Sequence, residues 1–245
     1  METALREGER IDELGRKGYR LIQDTHSFCF GIDAVLLADF AQASEKESVC
    51  DLGCGNGILP LLLKGRDKGG RITGLEIQPE AARLARRNLA LNGLEESAEI
   101  IEGDIREASA LFGRASFDVV VSNPPYREAG GGLVNPDPGK AIARHEILCT
   151  LEDVIREGAA LLKPAGRFFM VHRPRRLSQI LSLLPQYGLA AKTLRFVHGS
   201  LEKEADMVLL EAVRGGRAGL IVQKPLILYR EDGSYIEEVK EIYYG

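Results

Sequence analysis

The segment Ser122-Asn123-Pro124-Pro125-Tyr126 follows the apolar run Phe117-Asp118-Val119-Val120-Val121 and combines residue types better suited to chemistry than to packing. Proline has no amide hydrogen and biases the residue before it toward extended geometry, so a Pro pair ends the strand that the apolar run forms. Asn123 then stands at the strand mouth with a side-chain carbonyl, Pro124 offers a main-chain carbonyl, and Tyr126 brings a flat ring. Two acceptors beside an aromatic face suit a planar group that bears an NH2. Taken alone, the segment also reads as a strand-ending turn capped by Asn.

Three further signals precede it in the chain. Val49-Cys50-Asp51-Leu52-Gly53-Cys54-Gly55-Asn56-Gly57-Ile58-Leu59 runs from a strand through a glycine-rich turn into a helix, the context in which a backbone comes close to a nucleotide-like ligand. The spacing is G-x-G-x-G rather than the dinucleotide G-x-G-x-x-G. Asp51 ahead of the first glycine would repel a diphosphate and welcome an ammonium group. Glu76 closes the next strand and, about 20 residues beyond the glycines, is placed to accept hydrogen bonds from ribose hydroxyls. It also suits a cap for the helix that starts at Pro79. Asp104, in Glu102-Gly103-Asp104-Ile105, closes the third strand as a turn residue or as an acceptor for an exocyclic amine. The order glycines, Glu76, Asp104, Asn123 puts one polar group at the end of each successive strand, so all four should line one crevice at the carboxyl edge of a sheet.

The elements needed to hold them there are legible. Strand-like segments recur at 48–52, 71–76, 98–101, 117–122, 166–171, 189–196 and 207–213, with helical patterns at 31–40, 58–64, 79–91, 151–162 and 174–184. This alternation predicts an α/β fold with a Rossmann-like, doubly wound, mostly parallel seven-stranded sheet. The charged stretch 197–206 leaves no room for a crossover helix, so the last strand is expected to return antiparallel. Residues 1–24, with mixed charges and three glycines, read as a short N-terminal arm, and 25–218 as the main domain. Residues 219–245 read as an extension packed on that domain, with two β-like runs forming a hairpin around Glu231-Asp232-Gly233-Ser234. Residues 130–139 are the longest irregular stretch and follow the Asn-Pro-Pro-Tyr segment directly, where a substrate loop would be useful.

At 245 residues the chain can bury a full core. A formal charge of −4 argues against nonspecific coating of nucleic acid while leaving room for a local basic face. No apolar run approaches membrane-span length, and the first residues lack the apolar centre of a signal peptide. Cys29, Cys50, Cys54 and Cys149 show no C-x-x-C pairing and read as reduced thiols of a cytoplasmic protein, with no metal site.

Together these residues resemble the class I S-adenosylmethionine-dependent methyltransferases over about residues 25–213. The resemblance implies S-adenosylmethionine as cofactor, held by Asp33, Asp51, Gly53, Cys54, Gly55, Asn56, Gly57, Glu76, Ile77, Asp104, Ile105 and Asn123. Within that class, Asn123-Pro124-Pro125-Tyr126 matches the signature of enzymes that methylate amino groups, which implies catalytic roles for these four residues. The segments Phe28–Phe40 and Ala143-Arg144-His145-Glu146 are similar to those of the bacterial enzymes that methylate N6 of an adenosine next to the anticodon of valine tRNA. That likeness implies tRNA as partner. For RNA phosphates the candidate surface is His172-Arg173-Pro174-Arg175-Arg176, with Arg16, Lys17, Arg20, Arg127, Lys140 and Arg144 as possible additions; such a cluster also suits a solvated face. His26, His145 and His198 carry no comparable signal.

Other substrates present the same planar NH2. A protein glutamine N5-methyltransferase would share the core but is typically preceded by a longer helical domain, whereas only 47 residues precede Ser48 here. Guanine N2 in rRNA and adenine N6 in DNA also fit the same acceptor pair. A noncatalytic RNA-binding module would be expected to lose the acidic cofactor residues, yet Asp51, Glu76 and Asp104 are all present. A nicotinamide oxidoreductase is disfavoured by the glycine spacing.

Overall fold

Strands buried on both faces read as near-continuous apolar runs, and the runs predicted as strands pair into one central sheet. The computed structural model describes residues 5–25, 30–125 and 149–244. In chain order the elements are β1 (Glu9–Glu13), β2 (Arg20–Asp24), α1 (Ile32–Phe40), β3 (Ser48–Leu52), α2 (Ile58–Gly65), β4 (Arg71–Glu76), α3 (Pro79–Leu91), β5 (Ala98–Glu102), α4 (Ala108–Phe112), β6 (Phe117–Ser122), α5 (Leu151–Leu161), β7 (Leu162–His172), α6 (Leu177–Leu183), β8 (Leu189–His198), β9 (Ala205–Arg214), β10 (Ile221–Val222), β11 (Leu226–Ile227) and α7 (Glu237–Tyr244). The sheet order is β10-β8-β9-β7-β6-β3-β4-β5, with β11 also paired to β8. β5, β4, β3, β6 and β7 run parallel, while β9 is antiparallel to both β7 and β8, as the missing crossover helix predicted. The seven expected strands are all present, and two short parallel pieces, β10 and β11, extend the edge at β8.

Side chains alternate across the sheet with period two. Val119 and Val121 of β6 face one core layer with Val49, Phe169 and Val171, where α1, α2, α3 and α7 pack. Val120 faces the other layer with Cys50, Leu52, Phe168 and Met170, under α5 and α6. Helix ends carry their own signals. α3 begins at Pro79 and ends where Gly93 takes φ +64 and the Leu94 amide donates to the Leu89 carbonyl at 3.0 Å, a Schellman closure. α5 begins with a reciprocal capping box between Thr150 and Asp153. That cap places the start of α5 beside the carboxyl ends of the strands.

The termini differ in part from expectation. The N-terminal arm is a two-stranded hairpin, β1 and β2, that docks on α3 and buries Leu21 and Ile22 completely. Only a few of its side chains point inward, so the charge mixture concealed a strand pair. At the other end the expected hairpin is present around residues 230–234, with Tyr229 and Tyr235 forming an antiparallel bridge. The run after the turn, however, becomes helix α7, because Val239 and Ile242 lie three apart and bury together against the α1 side of the core. Tyr229 and Tyr235 stack at 5.1 Å and Tyr235 and Tyr243 at 6.0 Å, which fastens this helix to the turn. Helix α4, five residues long, is too short for a helical period to show in the sequence.

At the amino edge of the sheet, Asp118 ties β6 to β3 and β7. Its carboxylate accepts from the Ser48 amide at 2.9 Å, from the Ser48 hydroxyl at 2.7 Å, and from Lys163 Nζ at 2.8 Å to each oxygen. Burial by itself would raise this carboxyl, but the Lys163 and Ser48 bonds outweigh it and hold the group down to about 2. A folded pKa below the unfolded value stabilises the protein above the unfolded value, and that contribution is lost as pH falls through the folded one. Asp118→Asn should therefore lower stability by about 1–2 kcal/mol at neutral pH and by much less near pH 2. Urea melts of both proteins across that range would check it; a pH-independent difference would refute the linkage.

Candidate active site

The parallel strands β3 to β7 end on one side, and a cleft of about 1070 Å³ opens there. Its floor starts with the glycine turn. Gly53, Gly55 and Gly57 take φ of +80, +55 and +82, a region that side chains with a Cβ rarely enter. The Gly53 and Cys54 amides donate to the Leu75 carbonyl at 2.9 and 3.0 Å, so the turn is tied to β4. A Cβ on Gly55 would meet nothing within 4 Å, which leaves its backbone open to a ligand. Gly57 serves packing instead: a Cβ there would lie 3.1 Å from that of Ala85 on α3. Cys54 packs over Gly74, where any Cβ would come 2.8 Å from its sulfur.

Glu76 lies at the end of β4, only 5 % exposed. One carboxylate oxygen accepts from the Gly55 amide at 2.9 Å and the other from the Gln78 amide at 2.9 Å. It thus holds the glycine turn and the lead into α3 while facing the cleft. Asp104 caps the short turn after β5, accepting from the Arg106 amide at 2.8 Å and from Arg106 Nε at 2.9 Å. The Arg106 guanidinium beside it holds this carboxyl below the usual range. Asp104 is therefore both the turn residue and a cleft-lining carboxylate.

Asn123, Pro124 and Pro125 line the cleft where β6 ends. Their position is pinned by Ser122, fully buried, whose hydroxyl donates to the Leu52 carbonyl at 2.9 Å. That bond sets the Asn-Pro-Pro segment directly against the strand that leads into the glycine turn. Asp33, Gly53, Cys54, Gly55, Asn56, Ile77 and Ile105 also line the cleft. Two predicted residues do not: Gly57, for the packing reason above, and Asp51. Asp51 is wholly buried beneath the turn, and neither of its carboxylate oxygens has a hydrogen-bond partner. Burial, and then the nearby Glu76 charge, push this carboxyl well above the usual carboxylate range. Tyr126, Arg127, the loop at 130–139, and Lys140 through Glu146 lie outside the described residues, as do His26, Phe28 and Cys29.

The basic segment after β7 needs correction. His172, Arg173 and Arg175 line the cleft, but His172 is only 1 % exposed, and Arg176, 7 % exposed, does not line it. Burial, followed by the neighbouring arginines, lowers His172 to about 4, so it is neutral at pH 7, and its Nδ1 accepts from the Arg173 amide at 2.8 Å. Arg176 Nε donates to Gln179 at 2.8 Å. The strand ends at His172 and a tight helical turn follows at Pro174–Arg176, so His172 and Arg176 turn inward while the three residues between them stay at least partly exposed. Arg16 is likewise engaged, donating to the Glu241 carbonyl at 3.0 Å, and Lys17 pairs with Asp67. Sequence reasoning missed other cleft residues, among them Glu7, Asp24, Thr150 and Asp206. The Thr150–Asp153 capping box was visible in the sequence and marks one of them.

Comparison with known proteins fits this architecture. The model of the methyltransferase small domain family matches residues 31–196. The chain belongs to that family. A curated relative of this methyltransferase from Porphyromonas gingivalis, the tRNA1(Val) (adenine(37)-N6)-methyltransferase, is 34% identical over 187 residues, covering 74% of this chain and 72% of the relative. A protein of the same name from Aeromonas hydrophila is 31% identical over 220 residues, covering 89% and 90%. Among solved structures, a predicted O-methyltransferase from Agrobacterium tumefaciens superposes with a TM-score of 0.68 at 24% identity, covering 86% of this chain and 95% of that one. A T. thermophilus 16S rRNA N2 methyltransferase in complex with AdoMet and guanosine gives 0.61 at 23% identity, covering 86% and 52%. The fold of this methyltransferase is thus the class I one that the sequence suggested.

Proposed function

We propose that the enzyme transfers the methyl group of S-adenosylmethionine to the exocyclic N6 of an adenosine in tRNA, next to the anticodon of valine tRNA. The observation that carries the reading is Asn123-Pro124-Pro125 at the rim of a cleft whose floor is the glycine turn, in a chain 31% and 34% identical to proteins named for that reaction. The proposed place of action is the cytoplasm; among the described residues no helix is long and apolar enough to cross a membrane.

The residues present fit the methyl donor. Asp33, Glu76 and Asp104 set acidic side chains on the cleft wall, and Asp51 adds a buried carboxyl without a hydrogen-bond partner under the turn, a setting in which a nearby cation is favourable. The donor carries a sulfonium and an ammonium, and supplies an electrophilic methyl group when bound. The open face of Gly55 would admit its backbone-contacting part, Glu76 the ribose hydroxyls, and Asp104 the adenine amine.

For the acceptor, the N6 amine is a poor nucleophile because its lone pair is conjugated with the ring. Its two N–H groups would donate to Asn123 Oδ1 and the Pro124 carbonyl. Those bonds strengthen as positive charge develops on nitrogen, so they favour the transition state over the ground state. Tyr126 would stack on the base, which must be turned out of the RNA to reach the cleft. After transfer the amine is strongly acidic and its proton passes to water.

The test is mass spectrometry of nucleosides from bulk tRNA incubated with the enzyme and labelled cofactor. Labelled N6-methyladenosine is expected; label in protein, in guanosine or in DNA would overturn the substrate assignment, and absence of cofactor binding by calorimetry would favour a noncatalytic module. For RNA contact, Arg175→Glu should weaken tRNA binding about three- to tenfold at low salt and flatten the salt dependence of affinity by about one phosphate contact. An unchanged salt slope in filter binding would remove Arg175 from the interface.

A further inference from the structure

Asn88 sits in the middle of α3, is 0 % exposed, and uses its side-chain amide three times. Oδ1 accepts from the Ile22 amide at 2.7 Å, and Nδ2 donates to the Ile22 carbonyl at 3.1 Å and to the Asn56 carbonyl at 2.9 Å. One turn later Asn92 repeats the first two bonds on β2: its Oδ1 accepts from the Arg20 amide at 2.8 Å and its Nδ2 donates to the Arg20 carbonyl at 2.7 Å. Residues four apart on a helix are separated by about 6 Å along its axis, and residues two apart on a strand by about 6.6 Å. The two carboxamides therefore act as a surrogate strand on the edge of β2 that β1 does not cover.

Asn92 Nδ2 also donates to the Asn88 carbonyl at 2.7 Å, inside α3, but of the two only Asn88 reaches the glycine turn. Its third bond holds the backbone of the glycine turn at Asn56, the residue ahead of Gly57, and Ala85 on the same face of α3 closes on Gly57 itself. A helix-borne amide whose rotamer is fixed by a docked hairpin thus grips the cofactor loop from behind. We propose that Asn88 is a positioning residue for cofactor binding, presenting the Gly53–Gly57 turn to S-adenosylmethionine, with the N-terminal hairpin as its anchor. This rests on the reading of that turn as the methyl-donor site. The loop must be held before the ligand arrives, because ordering it on binding would subtract from affinity.

The two asparagines separate positioning from stability. Asn88→Ala removes all three bonds; Asn88→Ser keeps a small polar group but is too short to reach Asn56. Asn92→Ala loosens the hairpin without touching the loop. Affinity for S-adenosylmethionine by calorimetry, and KM and kcat with saturating tRNA, are measured well below each melting temperature. Either Asn88 variant should raise the cofactor Kd and KM about tenfold, the scale of one lost buried hydrogen bond, with kcat at saturating cofactor little changed. Asn92→Ala should lower the melting temperature and leave both constants in place. Wild-type cofactor affinity in a folded Asn88 variant overturns the inference, as does an equal KM rise in Asn92→Ala, or failure of both Asn88 variants to fold, which would make the residue structural. If the unaltered protein does not bind the cofactor, it is the reading of the site that fails, and this inference with it.

Discussion

Asn123→Ala should lower single-turnover methyl transfer by about 10²–10³-fold, the cost typical of removing one group that stabilises developing charge, while leaving cofactor affinity within about twofold. Asn123 lines the cleft at the end of β6, outside the glycine turn. Its loss therefore removes an acceptor for the reacting amine while the glycine turn, Glu76 and Asp104 remain in place for the donor. Asn123→Asp keeps an acceptor oxygen of similar reach and should retain more activity than alanine does. Rapid quench with labelled cofactor and tRNA measures the chemical step directly. Transfer at a near-normal rate in the alanine variant, with cofactor bound, would remove Asn123 from the mechanism.

Glu76→Gln should weaken cofactor binding about 10–100-fold, although the side chain changes by a single heavy atom. The reason is that Glu76 accepts main-chain hydrogens on both oxygens, from Gly55 on one and from Gln78 on the other. A glutamine offers one oxygen and one NH2, so one of these amides would face another donor in a buried site. An unsatisfied buried N–H costs about 1–3 kcal/mol, which is the stated range in affinity. The glycine turn is then left with its Gly53 and Cys54 bonds to Leu75, without a full pair of acceptors at Glu76 to fix Gly55, and the ribose loses one of its two acceptor oxygens. Calorimetry with S-adenosylmethionine reads both losses; a Kd within about threefold of the unaltered protein would show that the carboxylate's two bonds do not shape the site.

Both predictions rest on residues that the sequence already marked. The reason is local: a glycine at positive φ, a Pro pair that must end a strand, and an acid placed about 20 residues beyond a glycine turn are decided by a few neighbouring residues. The strand and helix runs were equally legible, because strands buried on both faces are largely apolar, and α3 announces its limits with Pro79 and Gly93. The antiparallel return of β9 followed from a connection too short and too charged to be a helix.

Other features needed partners distant in the chain. The hairpin β1–β2 draws its stability from the side of α3, through Asn88, Asn92 and the Arg87–Glu9 ion pair at 2.5 Å, and nothing within residues 9–24 states that such a partner exists. Helix α7 took over from an expected strand because Val239 and Ile242 found the α1 side of the core, and a two-residue apolar signal is ambiguous until that surface is known. The arginine cluster after β7 was read as one patch, whereas the fold turned Arg176 inward and left Arg173 and Arg175 at the cleft. Asp51 shows the division most clearly. The sequence by itself determined that an acid stands before the glycines and that the motifs belong at successive strand ends, since covalent neighbours and backbone sterics set those. Only the tertiary structure decided that this acid is fully buried without a hydrogen-bond partner, beside Glu76 and beneath the turn, because burial and charge proximity are properties of chain segments brought together and not of any one of them.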